Sequence, residues 1–156
     1  MIPTYRKVLV TTDLSPTGNS AIPHAYAVLA GLGGTVILWH AIDLSGIPSS
    51  VYAQRIPGKP LAEQRAALRD SLFSSLEALV PEEARAEGRV TTEIRVVEAP
   101  GVIQEAICQD ARTQEADLIV MSSHGHSGIK HLLLGSVAES VLKSADRPVL
   151  VVLSRE

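Results

Sequence analysis

Four unbroken apolar runs, rich in β-branched residues, constrain this chain more than any other feature: residues 7–12 (KVLVTT), 35–41 (TVILWHA), 117–123 (DLIVMSS) and 148–153 (PVLVVL). A strand with one face in water alternates polar and apolar side chains, whereas a strand covered on both faces has no reason to. The runs therefore predict buried strands of a parallel sheet. A fifth run, 89–98 (RVTTEIRVVE), alternates more and is placed at a sheet edge.

The segments between these runs read as helices, and the β-α-β-α order implies right-handed crossovers with helices on both faces of the sheet. Ser15 followed by Pro16 is a helix start, serine as cap and proline in the first turn, with Pro23 expected to kink the helix that follows. Leu61, Leu68, Leu72, Leu76 and Leu79 recur at helical spacing before Pro81. Val102, Ile103, Ala106 and Ile107 mark one face of a further helix, and a last one (SVAESVLKSAD) closes before Pro148. The charged residues between Glu63 and Arg85 read as a wet helical face. Residues 43–60, with three prolines and two glycines, form a long irregular stretch of the kind that serves as a lid.

At 156 residues the chain suits one domain, residues 1–156, and 46% apolar content supplies its core. With a net charge of −3 it lacks the cationic footprint of a general nucleic-acid binder, and 3% aromatics leave no stacking platform for single-stranded bases. Cys108, the one cysteine, lies in an apolar-patterned segment and reads as a small core residue of a protein in a reducing cytoplasm. The amino-terminal residues carry no signal-peptide pattern and no window approaches a membrane span, so no membrane role is expected.

The segment 121–137 (MSSHGHSGIKHLLLGSV) carries the candidate chemistry. If 118–122 is a central strand, the residues after it leave its carboxyl end, where open parallel sheets gather ligands at the reversal of winding. Gly125 and Gly135 permit close backbone approach, and Ser136 and Val137 offer a hydroxyl and an amide at a helix amino terminus, where the macrodipole favours phosphate. The arrangement suits a nucleotide, although glycine and serine before a helix are also ordinary capping.

This segment resembles the nucleotide loop of the universal stress protein family, whose ATP-binding members carry Gly-x2-Gly-x9-Gly-(Ser/Thr) after the fourth strand. Residues 126–134 supply the nine-residue spacer between Gly125 and Gly135-Ser136, and LLLGSVAESVL, KVLVTTDLS and VILWHAID are family-like too. One departure is present: Ser122 stands where the first glycine of the motif would be. The resemblance implies an open, doubly wound α/β fold with a five-stranded parallel sheet of order 3-2-1-4-5. It also implies a nucleotide-responsive regulatory dimer in the stress response. Thr11, Thr12 and Asp13 would lie beside base and ribose, Ala41 would offer backbone to adenine, and Met121 and Ser122 would line the ribose. His124, Gly125, Gly135, Ser136 and Val137 would surround the phosphates. Magnesium or manganese would be held mainly by phosphate oxygens. The run PVLVVLS reads as an edge strand that must be covered, and the family precedent is a homodimer through Val149 to Leu153.

Simpler readings stand beside these. Asp13 also suits a turn-holding role between Asp13 and Pro16. His124, His126 and His131 match no zinc spacing and read as solvated or phosphate-facing, Lys130 as solvated, and Trp39 and His40 as packed in or near the core. The sequence GHSG is not a hydrolase nucleophile turn, and GHSGIK is not a Walker loop. Adenylyl transferases of related architecture carry His-x-Gly-His near the first strand, where Asp13-Leu14-Ser15-Pro16 stands here. A phosphoacceptor receiver wants clustered acidic residues after the first strand and is rejected. A dimer that has lost nucleotide binding and a slow ATPase remain as alternatives, although no general base is evident.

Overall fold

A computed structural model describes residues 1–43, 61–99, 101–124 and 134–153. The proposed lid, apart from its first residue, lies outside them, as do Gly125, His126, Lys130 and His131. The elements in order are β1 (Lys7–Thr11), α1 (Pro16–Asn19), α2 (Ile22–Leu29), β2 (Gly34–Asp43), α3 (Leu61–Glu77), α4 (Glu82–Glu87), β3 (Val90–Ala99), α5 (Ile103–Thr113), β4 (Leu118–Ser122), α6 (Ser136–Ser144) and β5 (Val149–Val152).

All four strand pairings are parallel, and the order β3-β2-β1-β4-β5 is the expected one. The central strands are apolar throughout because each face has its own cover. Val8 and Val10 point into a cluster with Ile22, Ala25, Leu29 and Leu76, from α2 and α3. Leu9, between them, points the other way into a cluster with Ile107, Ala111, Ala138 and Val141, from α5 and α6. The period-2 geometry of a strand divides neighbouring residues between two cores in this way. The more alternating run forms the edge strand β3, as its pattern predicts.

Four local expectations change. The first helix does not kink at Pro23 but divides: α1 ends at Asn19, and Pro23 lies in the first turn of α2, where its missing N–H costs no intrahelical bond. Ser15 does cap α1, accepting from the Gly18 amide at 3.0 Å. Leu68 is about half exposed while Leu76 is fully buried, so only the carboxyl-terminal part of α3 is anchored in the core. Val102 is also well exposed, because it caps α5 with extended backbone rather than joining its buried face. The charged stretch after Pro81 forms a separate short helix, α4, with no buried residue.

Candidate functional site

The winding of the sheet reverses between β1 and β4, and the two strands diverge into helices on opposite faces. A crevice of about 570 Å³ opens there, outside the carboxyl ends of β1, β2 and β4. Its edge comes partly from unequal strand lengths. The β1–β2 ladder stops at the Thr11–Trp39 pair while β2 continues to Asp43, so Ala41 lies on a stretch of β2 that β1 no longer covers.

Ten of the eleven residues expected from sequence line this crevice: Thr11, Thr12, Asp13, Ala41, Met121, Ser122, His124, Gly135, Ser136 and Val137. The eleventh, Gly125, lies outside the described residues. Trp39, His40, Ile103, Ile107, Ser123 and Ala138 line it as well. Ile103 and Ile107 read from periodicity as ordinary core positions. Periodicity marks a face as apolar without saying whether helix or ligand covers it.

Much of the polar lining is held in place by the turns themselves. Asp13 Oδ1 accepts from the backbone amide of Ser15 at 3.0 Å and from its hydroxyl, which is the turn-holding role that sequence left open. Gly18 makes room for it, since a Cβ there would stand 2.2 Å from Asp13 Oδ1. His40 Nδ1 donates to the Thr12 carbonyl at 2.8 Å, which leaves its proton on that nitrogen. Ser122, at the position of the missing glycine, donates its hydroxyl to the His124 carbonyl at 2.6 Å. Ser123 Oγ lies 3.0 Å from His124 Nδ1.

The glycine motif closes on itself. The Gly135 amide donates to the Ser123 carbonyl at 2.6 Å, which ties the start of α6 to the end of β4. Among the described residues no side chain caps helix α6, and Ser136, Val137 and Ala138 of its first turn line the crevice. An uncapped helix amino terminus presents backbone donors and a positive dipole end, the arrangement that receives an anion. The thiol of Cys108 on α5 is buried in the core behind the crevice lining, and burial pushes its pKa up, as suits an inert core residue. Among the described residues no group of three or more His, Cys, Asp or Glu is placed to hold a metal ion. No described helix is long and apolar enough to cross a membrane.

The sequence matches the universal stress protein family profile over residues 4–152. The chain belongs to the universal stress protein family. Among its relatives, universal stress protein MJ0577 of Methanocaldococcus jannaschii is 31% identical over 153 residues, covering 95% of this chain and 94% of that protein. The solved structure of MJ0577 superimposes with a TM-score of 0.79 over 99% of both chains at 30% identity. Universal stress protein MJ0531 of the same organism is 32% identical over 151 residues, 95% of this chain and 82% of that one. A universal stress protein solved in complex with cAMP shares the fold, with a TM-score of 0.64 and 24% identity over 98% of this chain and all of that one.

Proposed function

We propose that this universal stress protein binds ATP in the β1–β4 crevice and works as a nucleotide-responsive regulatory dimer in the stress response. The observation that carries the reading is the meeting of two ends in one cavity: an apolar wall from Trp39, Ile103 and Ile107, and the uncapped start of α6 beside Gly135. A nucleotide needs such a pair, an apolar slot for the base and backbone donors for phosphate. The cAMP complex of a protein with this fold supports an adenine nucleotide as the ligand class. Ala41 is assigned to adenine, Thr11, Thr12, Asp13, Met121 and Ser122 to base and ribose, and His124, Gly125, Gly135, Ser136 and Val137 to the phosphates. Magnesium or manganese fits this donor set as an ion carried on phosphate oxygens, where it would neutralise phosphate charge.

Binding is favoured over catalysis. Asp13 and His40 are drawn into turn-holding hydrogen bonds, and His124 Nδ1 lies within hydrogen-bond distance of Ser123. These bonds fix the orientation of the three side chains, and a histidine that donates from Nδ1 keeps a basic Nε2, so they assign no general base and exclude none. The deciding experiment is calorimetric titration of nucleotide-free protein with MgATP. Saturable micromolar binding is expected. No detectable heat, with no nucleotide released when the purified protein is denatured, would leave the alternative of a dimer acting through protein contacts alone.

The proposed dimer rests on β5. This strand ends the sheet, so the backbone groups along its outer side lack a strand partner among the described residues; Leu150 and Leu153 are 37% and 62% exposed, and Leu142 of α6 is exposed too. An apolar open edge invites a second strand, and a copy of the same strand across a twofold axis closes it. Val151→Glu places a charge in that seam and is expected to convert the dimer to monomer in sedimentation velocity. A variant sedimenting as an unchanged dimer would remove β5 as the interface.

A further inference from the structure

Behind the apolar wall of the crevice lies a buried carboxylate that the nucleotide assignment leaves unused. Asp110 of α5 is 9% exposed. Its Oδ2 accepts from the indole Nε1 of Trp39 at 2.9 Å and from Arg95 Nε at 2.6 Å, and its Oδ1 accepts from Arg95 Nη2 at 2.8 Å. Trp39 and Arg95 are register partners on β2 and β3, so one carboxylate joins two strands and a helix. Ile103 and Ile107 stand on the same stripe of α5 as Asp110, and both face the crevice with Trp39.

The Asp110 side chain is 12% exposed and that of Arg95 36%, and a carboxylate so largely withdrawn from water is a costly way to hold a helix on a sheet, since apolar replacements commonly do as well or better. The geometry supplies a different use. A two-pronged guanidinium–carboxylate contact fixes the plane of the carboxylate, and that plane fixes the direction from which the indole N–H can donate. The ring of Trp39, 2% exposed, is thereby locked in the wall, and α5 is held at a set distance from the sheet.

We propose that Arg95 and Asp110 are positioning residues of the nucleotide site, acting through Trp39 to set the apolar wall against which the base packs. This rests on the nucleotide reading above. The clamp acts at the base end and leaves the phosphate end at α6 untouched.

Trp39 is the chain's one tryptophan, so its fluorescence reports this wall without interference. The experiment compares wild type, Arg95→Met, Arg95→Lys and Asp110→Asn by tryptophan emission and by calorimetry with adenosine, MgATP and magnesium tripolyphosphate. Arg95→Met is expected to shift the emission and to weaken adenosine and MgATP by the same factor, about tenfold, with tripolyphosphate unchanged. Arg95→Lys restores part of that loss, and Asp110→Asn, which keeps a carbonyl acceptor for the indole, falls between wild type and Arg95→Met. Unchanged adenosine affinity and emission in both Arg95→Met and Asp110→Asn would overturn the proposal. Equal weakening of all three ligands would also overturn it, by reducing the clamp to structural glue. If Arg95→Met fails to fold, the near-isosteric Asp110→Asn decides by the same criteria. Wild-type protein that binds none of the ligands would remove the nucleotide reading itself, an outcome visible before any substitution is made.

Discussion

Gly135→Val is expected to lower MgATP affinity by a hundredfold or more, on the order of 3 kcal/mol, while the fold survives. Gly135 has φ −72° and ψ 161°, an extended conformation open to any residue, so the constraint is one of contact. A Cβ at this position would stand 3.1 Å from the Ser123 carbonyl oxygen and 3.6 Å from His124 Cα. That carbonyl also accepts the Gly135 amide, so crowding it pries apart the two ends of the glycine motif where the phosphates are assigned. The added methyl groups would compete for space at the mouth of α6. Calorimetry measures the affinity and thermal unfolding checks the fold. Affinity within a few-fold of wild type would show that phosphate does not approach this backbone.

Gly34→Ala should do the reverse, costing stability and sparing affinity. Gly34 has φ +145°, and a Cβ there would lie 2.2 Å from the Arg6 carbonyl oxygen and 3.0 Å from its carbon, both backbone atoms that cannot swing aside. The Arg6 carbonyl is itself occupied, accepting from the Thr35 amide at 2.8 Å as β1 and β2 come into register. The substitution combines a disfavoured torsion with a backbone collision, and a loss of about 3 kcal/mol is expected, a large share of the 5–15 kcal/mol typical of a domain. Thermal unfolding should fall by roughly 10 °C. Gly34 begins β2, at the opposite end from the crevice, so the folded fraction should bind MgATP as wild type does. An unchanged melting temperature would mean that the turn after α2 relaxes far more easily than its geometry implies.

These two glycines mark how legibility varied along the chain. The buried strands were readable because double coverage writes itself as unbroken apolarity, and KVLVTT and DLIVMSS end within a residue of β1 and β4. The crevice was readable wherever it sits on strand ends, which is why Thr12, Ala41 and Met121, picked out in the sequence, line it. The break between α1 and α2 was not, because proline is compatible both with a kink and with a first turn, and only tertiary packing chooses. Helix α4 carries EEARAE with no apolar repeat, so local pattern offered nothing to separate it from the helix before it. The contact between Arg95 and Asp110 joins a strand to a helix across the edge of the sheet, and sequence spacing carries no trace of such a meeting.

The central place of β1 bears on how the protein is made. Val8 pairs with Val36 on one side but with Leu118 on the other, and the Lys7 amide is held by Asp117, 110 residues further along. During synthesis one flank of β1 is matched early, whereas the other must wait until most of the chain has left the ribosome, several seconds at about 5–20 residues per second. Throughout that interval the strand destined for the middle of the sheet is an outer one, apolar on both faces and open along one side. A polypeptide that stops before β4 would keep this flank permanently, and would pair with whatever strand it met.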